Sequence, residues 1–497
     1  MANNGAIKTR KVKINQAVAV IGSSAAAIQS AISVAKLGHK VTIITSENRP
    51  DGGDIEEIKN SKNIEVITSS VPESVDGEFG NFQILIKSDG KQKKIAVGAM
   101  ILNYSNSYGD LDKLAEMIQS GSIPGRIAIV LDMVKQQTSA VWERVLSAAD
   151  MLVGRFGSDV TIYCRSARVA VTGLENLYRK IRSAGVIISK FDSLPKIIEQ
   201  QSTVLVSVYD EIIGAETSRQ FDLLITAETD NNTDIAKALR QVKTGPNREL
   251  QYDDVWLTAT KTNCKGIFAI GDAKGNSDYR ASLTDALAAA GEIGSLLSKA
   301  EIEIAEDAAV VDAEKCVLCL TCRRVCPHGA ISIDKENEAA KVSLLSCMRC
   351  GACAAQCPAG AIQLPGYSDE ETRAKLAQKS SITIFACENS AIPAAQAAKN
   401  CGFKPDSKIN FVKVPCAGKV DTKDILAALE KGDEKVIIMA CHPESCQYLT
   451  GASRARNGVK RINNMLAKAG FDSERVVFRG ISAVEPMKFI EYVKEQN

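Results

Sequence analysis

Histidine is nearly absent from this sequence, with three residues in 497. Proton shuttles, hydrolytic triads and most mononuclear metal sites draw on imidazole, so the chain is poorly supplied for them, and no catalytic constellation is assigned. Long apolar runs are missing too. No stretch approaches the ~18–20 residues that a membrane span needs, and the opening Met-Ala-Asn-Asn-Gly carries no apolar signal core. The expected location is the cytoplasm, with membrane association only through a partner. Charge of one sign is not in excess, the net value being +2, which gives no electrostatic footprint for nucleic acid. The short basic run Lys8-Thr9-Arg10-Lys11-Val12-Lys13 is expected to be a solvated arm within residues 1–15. Cysteine is scarce over most of the length, with only Cys164 and Cys264 before residue 300.

The total is nevertheless fifteen cysteines, and all the others follow residue 315. In a reducing compartment such clustering points to metal or redox chemistry rather than disulfides. The cysteine-poor part alternates strands with helices. Val18–Ile21 leads into a small-residue helix and then Val41–Thr45. Ile127–Leu131, a helix ending near Arg155, and Val160–Cys164 repeat the pattern, and Ile267–Ile270 feeds the Ala-rich helix Ala281–Leu297. Repeated β-α-β units imply a doubly wound, mostly parallel sheet. The expected fold is α/β: a core like that of two-dinucleotide-domain flavoproteins, a ferredoxin domain, and a small C-terminal α/β domain. The expected boundaries are 16–125 and 216–300 for the two parts of the FAD-type domain and 126–215 for an inner NAD(P)-like domain. The ferredoxin domain takes 312–365 and the last domain 381–497, with an acidic linker over 301–311.

Two runs share one spacing: Cys316-x2-Cys319-x2-Cys322-x3-Cys326-Pro and Cys347-x2-Cys350-x2-Cys353-x3-Cys357-Pro. This is the pattern of two-cluster ferredoxins, in which the fourth cysteine of each run ligates the other cluster. One 4Fe-4S cluster is therefore assigned to Cys316, Cys319, Cys322 and Cys357, the other to Cys347, Cys350, Cys353 and Cys326. A zinc ribbon has no place for the third thiolate of each run.

Cys387, Cys416 and Cys441 fall at or just after strand ends, where open α/β sheets form their crevice, and Cys446 sits in the next loop. Spacing alone leaves three readings: a 2Fe-2S cluster, structural zinc, or scattered buried thiols. The segments Val414-Pro-Cys416-Ala-Gly-Lys-Val-Asp421 and Ala440-Cys441-His-Pro-Glu-Ser-Cys446-Gln-Tyr448 resemble the methyl-viologen-reducing hydrogenase delta subunit. Gly451, Arg454, Arg456 and Ile481-Ser-Ala483 fit the same pattern. The resemblance implies a 2Fe-2S cluster on Cys387, Cys416, Cys441 and Cys446, with Cys401 spare. It departs at Ser390, where that family usually has a further cysteine.

Thr262-Asn-Cys-Lys-Gly-Ile-Phe-Ala-Ile-Gly271-Asp272 has the form of a second FAD signature, with Ser282 on the following helix. The first signature is incomplete. Gly22 opens it and Ser23 follows, but Ser24 and Ala27 stand where the fingerprint has glycines, and the acid after the second strand is Glu47, two residues late. FAD and its absence both stay open. The inner domain lacks any glycine between Ile127 and Leu152, so a nicotinamide phosphate turn is not expected there. Gly266–Gly294 joined to a two-cluster ferredoxin resembles the A subunit of heterodisulfide reductase. The whole domain order resembles the B subunit of the quinone-interacting membrane-bound oxidoreductase. That resemblance implies an iron-sulfur electron-transfer component whose partners are other oxidoreductase subunits, a membrane quinone-reactive one among them. The alternatives are a self-contained NAD(P)H-dependent flavoenzyme and a flavin-free docking scaffold with a cluster relay.

Overall fold

The computed structural model describes residues 8–495 apart from 49–53, 89–90, 104–108, 135–136, 138, 172, 212, 228–237, 240, 245–249, 251, 255–257, 275–278 and 473. Val18–Ile21 is buried along its whole length. Such a strand, covered on both faces, reads as a continuous apolar run and belongs inside a parallel sheet. It lies between Ala99–Leu102 and Val41–Ile44. The full sheet has seven strands, ordered Tyr252–Asp254, Thr258–Thr262, Ile267–Ala269, Ala99–Leu102, Val18–Ile21, Val41–Ile44 and Ile64–Ile67. The helices Ala25–Lys36 and Tyr279–Leu296 join the same core through Ala27, Ile28, Ala31, Ala286, Ala289 and Ile293.

The inner domain is built on a four-stranded parallel sheet, ordered Ile187–Lys190, Asp159–Cys164, Arg126–Val130 and Leu223–Thr226. Its boundary therefore needs correction. The expected break between 215 and 216 falls at the start of Ala215–Phe221, a strand paired with Val204–Asp210, and the next strand adds to the inner sheet rather than to the flavin-type one. A strand as short as Leu-Leu-Ile-Thr carries no mark of which sheet it will join.

The basic arm also differs from expectation. Thr9–Lys13 is a strand, antiparallel to Glu301–Ala305, with Lys11 opposite Glu303 and Lys13 opposite Glu301. Lys11 Nζ stands 3.8 Å from Glu301, and Thr9 Oγ1 donates to Glu303. The basic opening and the acidic linker are thus two halves of one ribbon, which fastens the N-terminus to the entrance of the ferredoxin domain. Directly opposed like charges destabilise a pair of strands. Replacing Lys11 and Lys13 by Glu is expected to cost about 1 kcal/mol, read as faster proteolytic cleavage within 301–311.

Two short helices, Thr321–Val325 and Ala352–Ala355, and two two-stranded ribbons make the ferredoxin domain. The last domain is a four-stranded parallel sheet, ordered Ile409–Val414, Ile382–Cys387, Lys435–Ala440 and Val476–Gly480. The chain leaves Ile382–Cys387 to one side and returns on the other, so the switch point lies between that strand and Lys435–Ala440. Their carboxyl ends carry Cys387 and Cys441, where ligands of open α/β sheets bind. Among the described residues no helix is long and apolar enough to cross a membrane.

Candidate cluster and nucleotide sites

One cavity in the ferredoxin domain is lined by Cys326, Cys347, Cys350 and Cys353, together with His328, Gly351 and Ala352. Its four thiols come from both cysteine runs, in the crossed combination. His328 is buried and its Nε2 has no hydrogen-bond partner. Burial, and then the charge of Lys243, push its pKa down to about 4, so the ring is a neutral donor or acceptor beside the cavity. An orphaned polar atom next to four thiols fits a group with sulfur acceptors, as a 4Fe-4S cluster would supply. Burial also raises the Cys350 thiol to about 12, helped by Cys416, Cys326 and Cys347. Thiols forced together this way become thiolates only when a cationic centre takes up their charge.

The other set is the more open one. Cys322 is buried, and Cys316 and Cys357 are half-buried, while Cys319 is exposed. The Cys322 thiol is pushed up by burial, then by the charges of Cys316, Cys319 and Cys357, which again is the crossed set. Backbone Ala340 N–H points at Cys316 Sγ from 3.5 Å, and the Arg324 guanidinium donates to the Cys319 carbonyl at 3.1 Å. Among the described residues no three His, Cys, Asp or Glu side chains converge on a single ion; a cubane spreads its thiolates over four irons and does not ask them to converge.

In the last domain four thiols form a chain of contacts. Cys441 is held well below the ordinary thiol range by hydrogen bonds, first from Cys387 and then from Cys446. Cys446 is pushed up through its bonds to Cys416 and Cys441, and Cys416 is lowered in turn by Cys446. Two backbone N–H groups aim at this cluster of sulfurs, Gly418 at Cys416 (3.5 Å) and Ala452 at Cys446 (3.4 Å). Gly451 completes the cradle: a Cβ there would fall 2.1 Å from Cys416 Sγ and 3.6 Å from Cys446 Sγ. These residues fit an iron-sulfur cluster. Ser390 is buried, its hydroxyl has no conventional hydrogen-bond partner, and it is turned to Cys441, whose pKa it lowers. The residue that departs from the family pattern thus still faces the sulfurs. Cys401 is exposed.

The nucleotide site of the seven-stranded sheet lies at the carboxyl ends of neighbouring parallel strands. Gly22 has φ +124°, and a Cβ on it would overlap the Asn103 carbonyl oxygen at 1.5 Å, so only glycine lets these two strand ends close. Gly271 meets Asn103 and Ser282 in the same place. Ser23 is half-buried there. Ser24 caps the helix Ala25–Lys36, its hydroxyl accepting from Ala27 N–H at 3.3 Å, so one donor of the helix end that would face an anion is already taken. The backbone of Asp272 lies in the adjoining turn; its side chain is outside the described residues. Lys274 ties that turn to the next helix through a buried ion pair with Asp285 at 2.8 Å. These features fit a flavin dinucleotide. Glu47 is exposed just beyond its strand, its N–H donated to the Thr45 hydroxyl and its carbonyl accepting from Ser69 N–H.

In the inner domain the turn after Arg126–Val130 is occupied by Asp132, at φ +62° and buried. Its carboxylate accepts the N–H groups of Gln137 (2.6 Å) and Arg165 (3.0 Å).

The flavin-type, ferredoxin and C-terminal domains are in contact. Asn263 Nδ2 donates to the Pro327 carbonyl at 2.7 Å, and a Cβ on Gly329 would fall 2.8 Å from Cys264 Sγ. The flavin-type domain therefore touches the Cys326 loop directly. On the other side Cys350 and Ala352 share one apolar core with Cys387, Cys416, Cys441 and Cys446, and Tyr448 packs edge-on against His328. Sequence reasoning missed Lys419, Tyr448 and Cys264 as contact residues. Lys419 and Tyr448 lie within the two segments that resemble the delta subunit, and that was the signal available for them.

Residues 382–497 match the methyl-viologen-reducing hydrogenase delta subunit, residues 308–358 the 4Fe-4S dicluster domain, and residues 17–89 the pyridine nucleotide-disulphide oxidoreductase family. The A subunit of the ferredoxin/F420H2-dependent CoB-CoM heterodisulfide reductase of Methanosarcina acetivorans is 30% identical over 361 residues, covering 68% of this chain and 44% of its own length. The chain spans less than half the length of that relative. The iron-sulfur D subunit of the F420-non-reducing hydrogenase of Archaeoglobus profundus is 32% identical over 114 residues, covering 23% of this chain and 83% of its own length. Thioredoxin reductase of Lactococcus lactis overlays 57% of this chain on 99% of its own at TM-score 0.40 and 18% identity. With its last domain aligned to most of that hydrogenase relative, the chain belongs to the methyl-viologen-reducing hydrogenase delta-subunit family, carried here behind a 4Fe-4S dicluster domain and a core like that of the heterodisulfide reductase relative.

Proposed function

We propose that this chain is an electron-transfer subunit of a heterodisulfide reductase-like oxidoreductase complex. In this reading it holds two 4Fe-4S clusters on the eight ferredoxin cysteines, a 2Fe-2S cluster on Cys387, Cys416, Cys441 and Cys446, and FAD at Gly22, Ser23, Ser24, Gly271, Asp272 and Ser282. Iron-sulfur clusters exchange single electrons, and a flavin couples single to paired electrons. The chain's own residues contribute order and insulation. The observation that carries the reading is that one cavity, lined by Cys326 and Cys350, abuts the flavin-type domain through Cys326 to Gly329 and the C-terminal thiols through Cys350 to Ala352.

The relatives support the same view. Their names place the two matching parts in separate proteins, one from a heterodisulfide reductase and one from a hydrogenase. Here both lie in one polypeptide, and what would be a contact between proteins becomes an internal one. The proposed partners are the other oxidoreductase subunits of such a complex, including one that reacts with membrane quinone, and the proposed location is the cytoplasm. Protein purified without oxygen is expected to yield about ten irons per chain, for two cubanes and one 2Fe-2S cluster, and one FAD on acid extraction. Iron near eight would remove the third cluster, and a chain without FAD would support the docking-scaffold alternative.

A further inference from the structure

Lys419 is among the largest fully buried side chains of the protein, at 2% exposure. Burying an ammonium is costly unless it is paired or serves a negative centre. Its backbone springs from the turn of the C-terminal thiols, with its N–H donated to the Cys416 carbonyl at 2.9 Å. Its aliphatic stem lies across Gly351, the residue after Cys350. A Cβ on Gly351 would meet Lys419 Cβ, Cδ and Cγ at 2.9, 3.0 and 3.1 Å. Gly351 also has φ +76°, so close approach and backbone conformation both call for glycine.

The nearest ion pair is loose. Lys419 Nζ is 3.5 Å from Asp369 Oδ1, and that side chain is 43% exposed, beyond the usual length of a charge-assisted bond and open to solvent screening. Asp424 is within electrostatic reach as well; burial raises its pKa and Lys419 lowers it. The positive charge, carried on a stem that lies where two cysteine-bearing loops meet, is therefore only partly offset.

We propose that Lys419 is a cation shared by the Cys326/Cys347/Cys350/Cys353 cluster and the C-terminal cluster, and that it raises the reduction potentials of both. Each cluster gains negative charge when reduced, and a buried positive charge stabilises that state more than the oxidised one. The cubane of Cys316, Cys319, Cys322 and Cys357 has no ligand in the apolar core that Cys350 shares with the C-terminal thiols, and the effect on it is expected to be smaller. The inference rests on the cluster assignment above.

Its test is a potentiometric titration, followed by electron paramagnetic resonance, of the anaerobically purified full chain. Lys419→Met is expected to lower one cubane and the C-terminal cluster together, each by at least a tenfold fall in the reduced-to-oxidised ratio at fixed potential, about 59 mV for one electron. The other cubane should move less than about threefold, and Lys419→Arg should stay near wild type. Asp369→Asn should move the same two centres in the opposite direction, at least about twofold, a sign that a merely structural role does not produce. Unshifted potentials in the Met variant with its clusters present, or an equal shift in all three centres, would overturn the proposal. If the Met variant fails to assemble, Asp369→Asn decides, and no upward movement counts against it. A wild-type chain lacking the C-terminal signal sinks the cluster assignment instead, and Lys419 is then judged on the cubane alone.

Discussion

Gly451→Ala is expected to remove the C-terminal cluster and leave both cubanes in place. Gly451 opens the helix Gly451–Lys468, and by helix propensity alone alanine should be the better residue by up to about 1 kcal/mol. Packing opposes this. The added methyl would fall 2.1 Å from Cys416 Sγ, well inside van der Waals contact, and the helix start is also tied to the site through Ala452 N–H and Cys446. Relief requires either the Cys416 turn or the helix to move by more than an ångström, and both carry ligands or their donors. The expected iron content falls by about two per chain, with the cubane signals retained. Gly458→Ala in the same helix is the control. Its Cβ would meet nothing nearer than the Arg461 guanidinium end at 4.0 Å, so cluster content should not change. If Gly451→Ala keeps all its iron, the four thiols do not close round a cluster in the manner proposed.

How much of this could be read from the residues alone depends on distance along the chain. Iron-sulfur ligation by the ferredoxin runs is local, and the spacing of eight cysteines is a statement about loop geometry that no packing alters. Cys387, Cys416 and Cys441 were nearly as legible, because strand ends of a parallel sheet share one rim whatever surrounds them. What escaped is non-local. Lys8 to Lys13 and Glu301 to Glu306 carry opposite charge, yet only the folded core brings residues some 290 positions apart into one ribbon. Leu223–Thr226 is too short to declare its sheet. Lys419 looks like any surface lysine until the Gly351 turn is laid over it, and Cys264 looks like an isolated buried thiol until Gly329 closes on it. The flavin signature was ambiguous for a different reason: Ser24 breaks the fingerprint as a string, whereas in the structure it acts as a helix cap and leaves the strand ends at Gly22, Asn103 and Gly271 closed together.

The proposed crossed ligation of the two cubanes leads to the largest expected change in metal content. Cys326 lines a cavity with Cys347, Cys350 and Cys353, while Cys357 acts on Cys322 alongside Cys316 and Cys319. Two alanine substitutions within one crossed set should therefore empty one site only. Cys316→Ala with Cys357→Ala is expected to leave about six irons per chain, as is Cys347→Ala with Cys326→Ala. Cys316→Ala with Cys326→Ala, although it touches a single sequence run, removes one ligand from each site and should damage both cubanes, leaving as few as about two irons. If each run instead held its own cluster, the outcomes would exchange, with the same-run pair keeping about six irons and both cross-run pairs losing more. The two retained-cubane variants should also differ from each other. Losing the Cys316/Cys357 site leaves the cubane that abuts both the flavin-type domain and the C-terminal thiols, so one-electron communication between those two should persist. Losing the Cys347/Cys326 site empties the cavity between them, and reduction of one end should no longer reach the other on the timescale of rapid mixing.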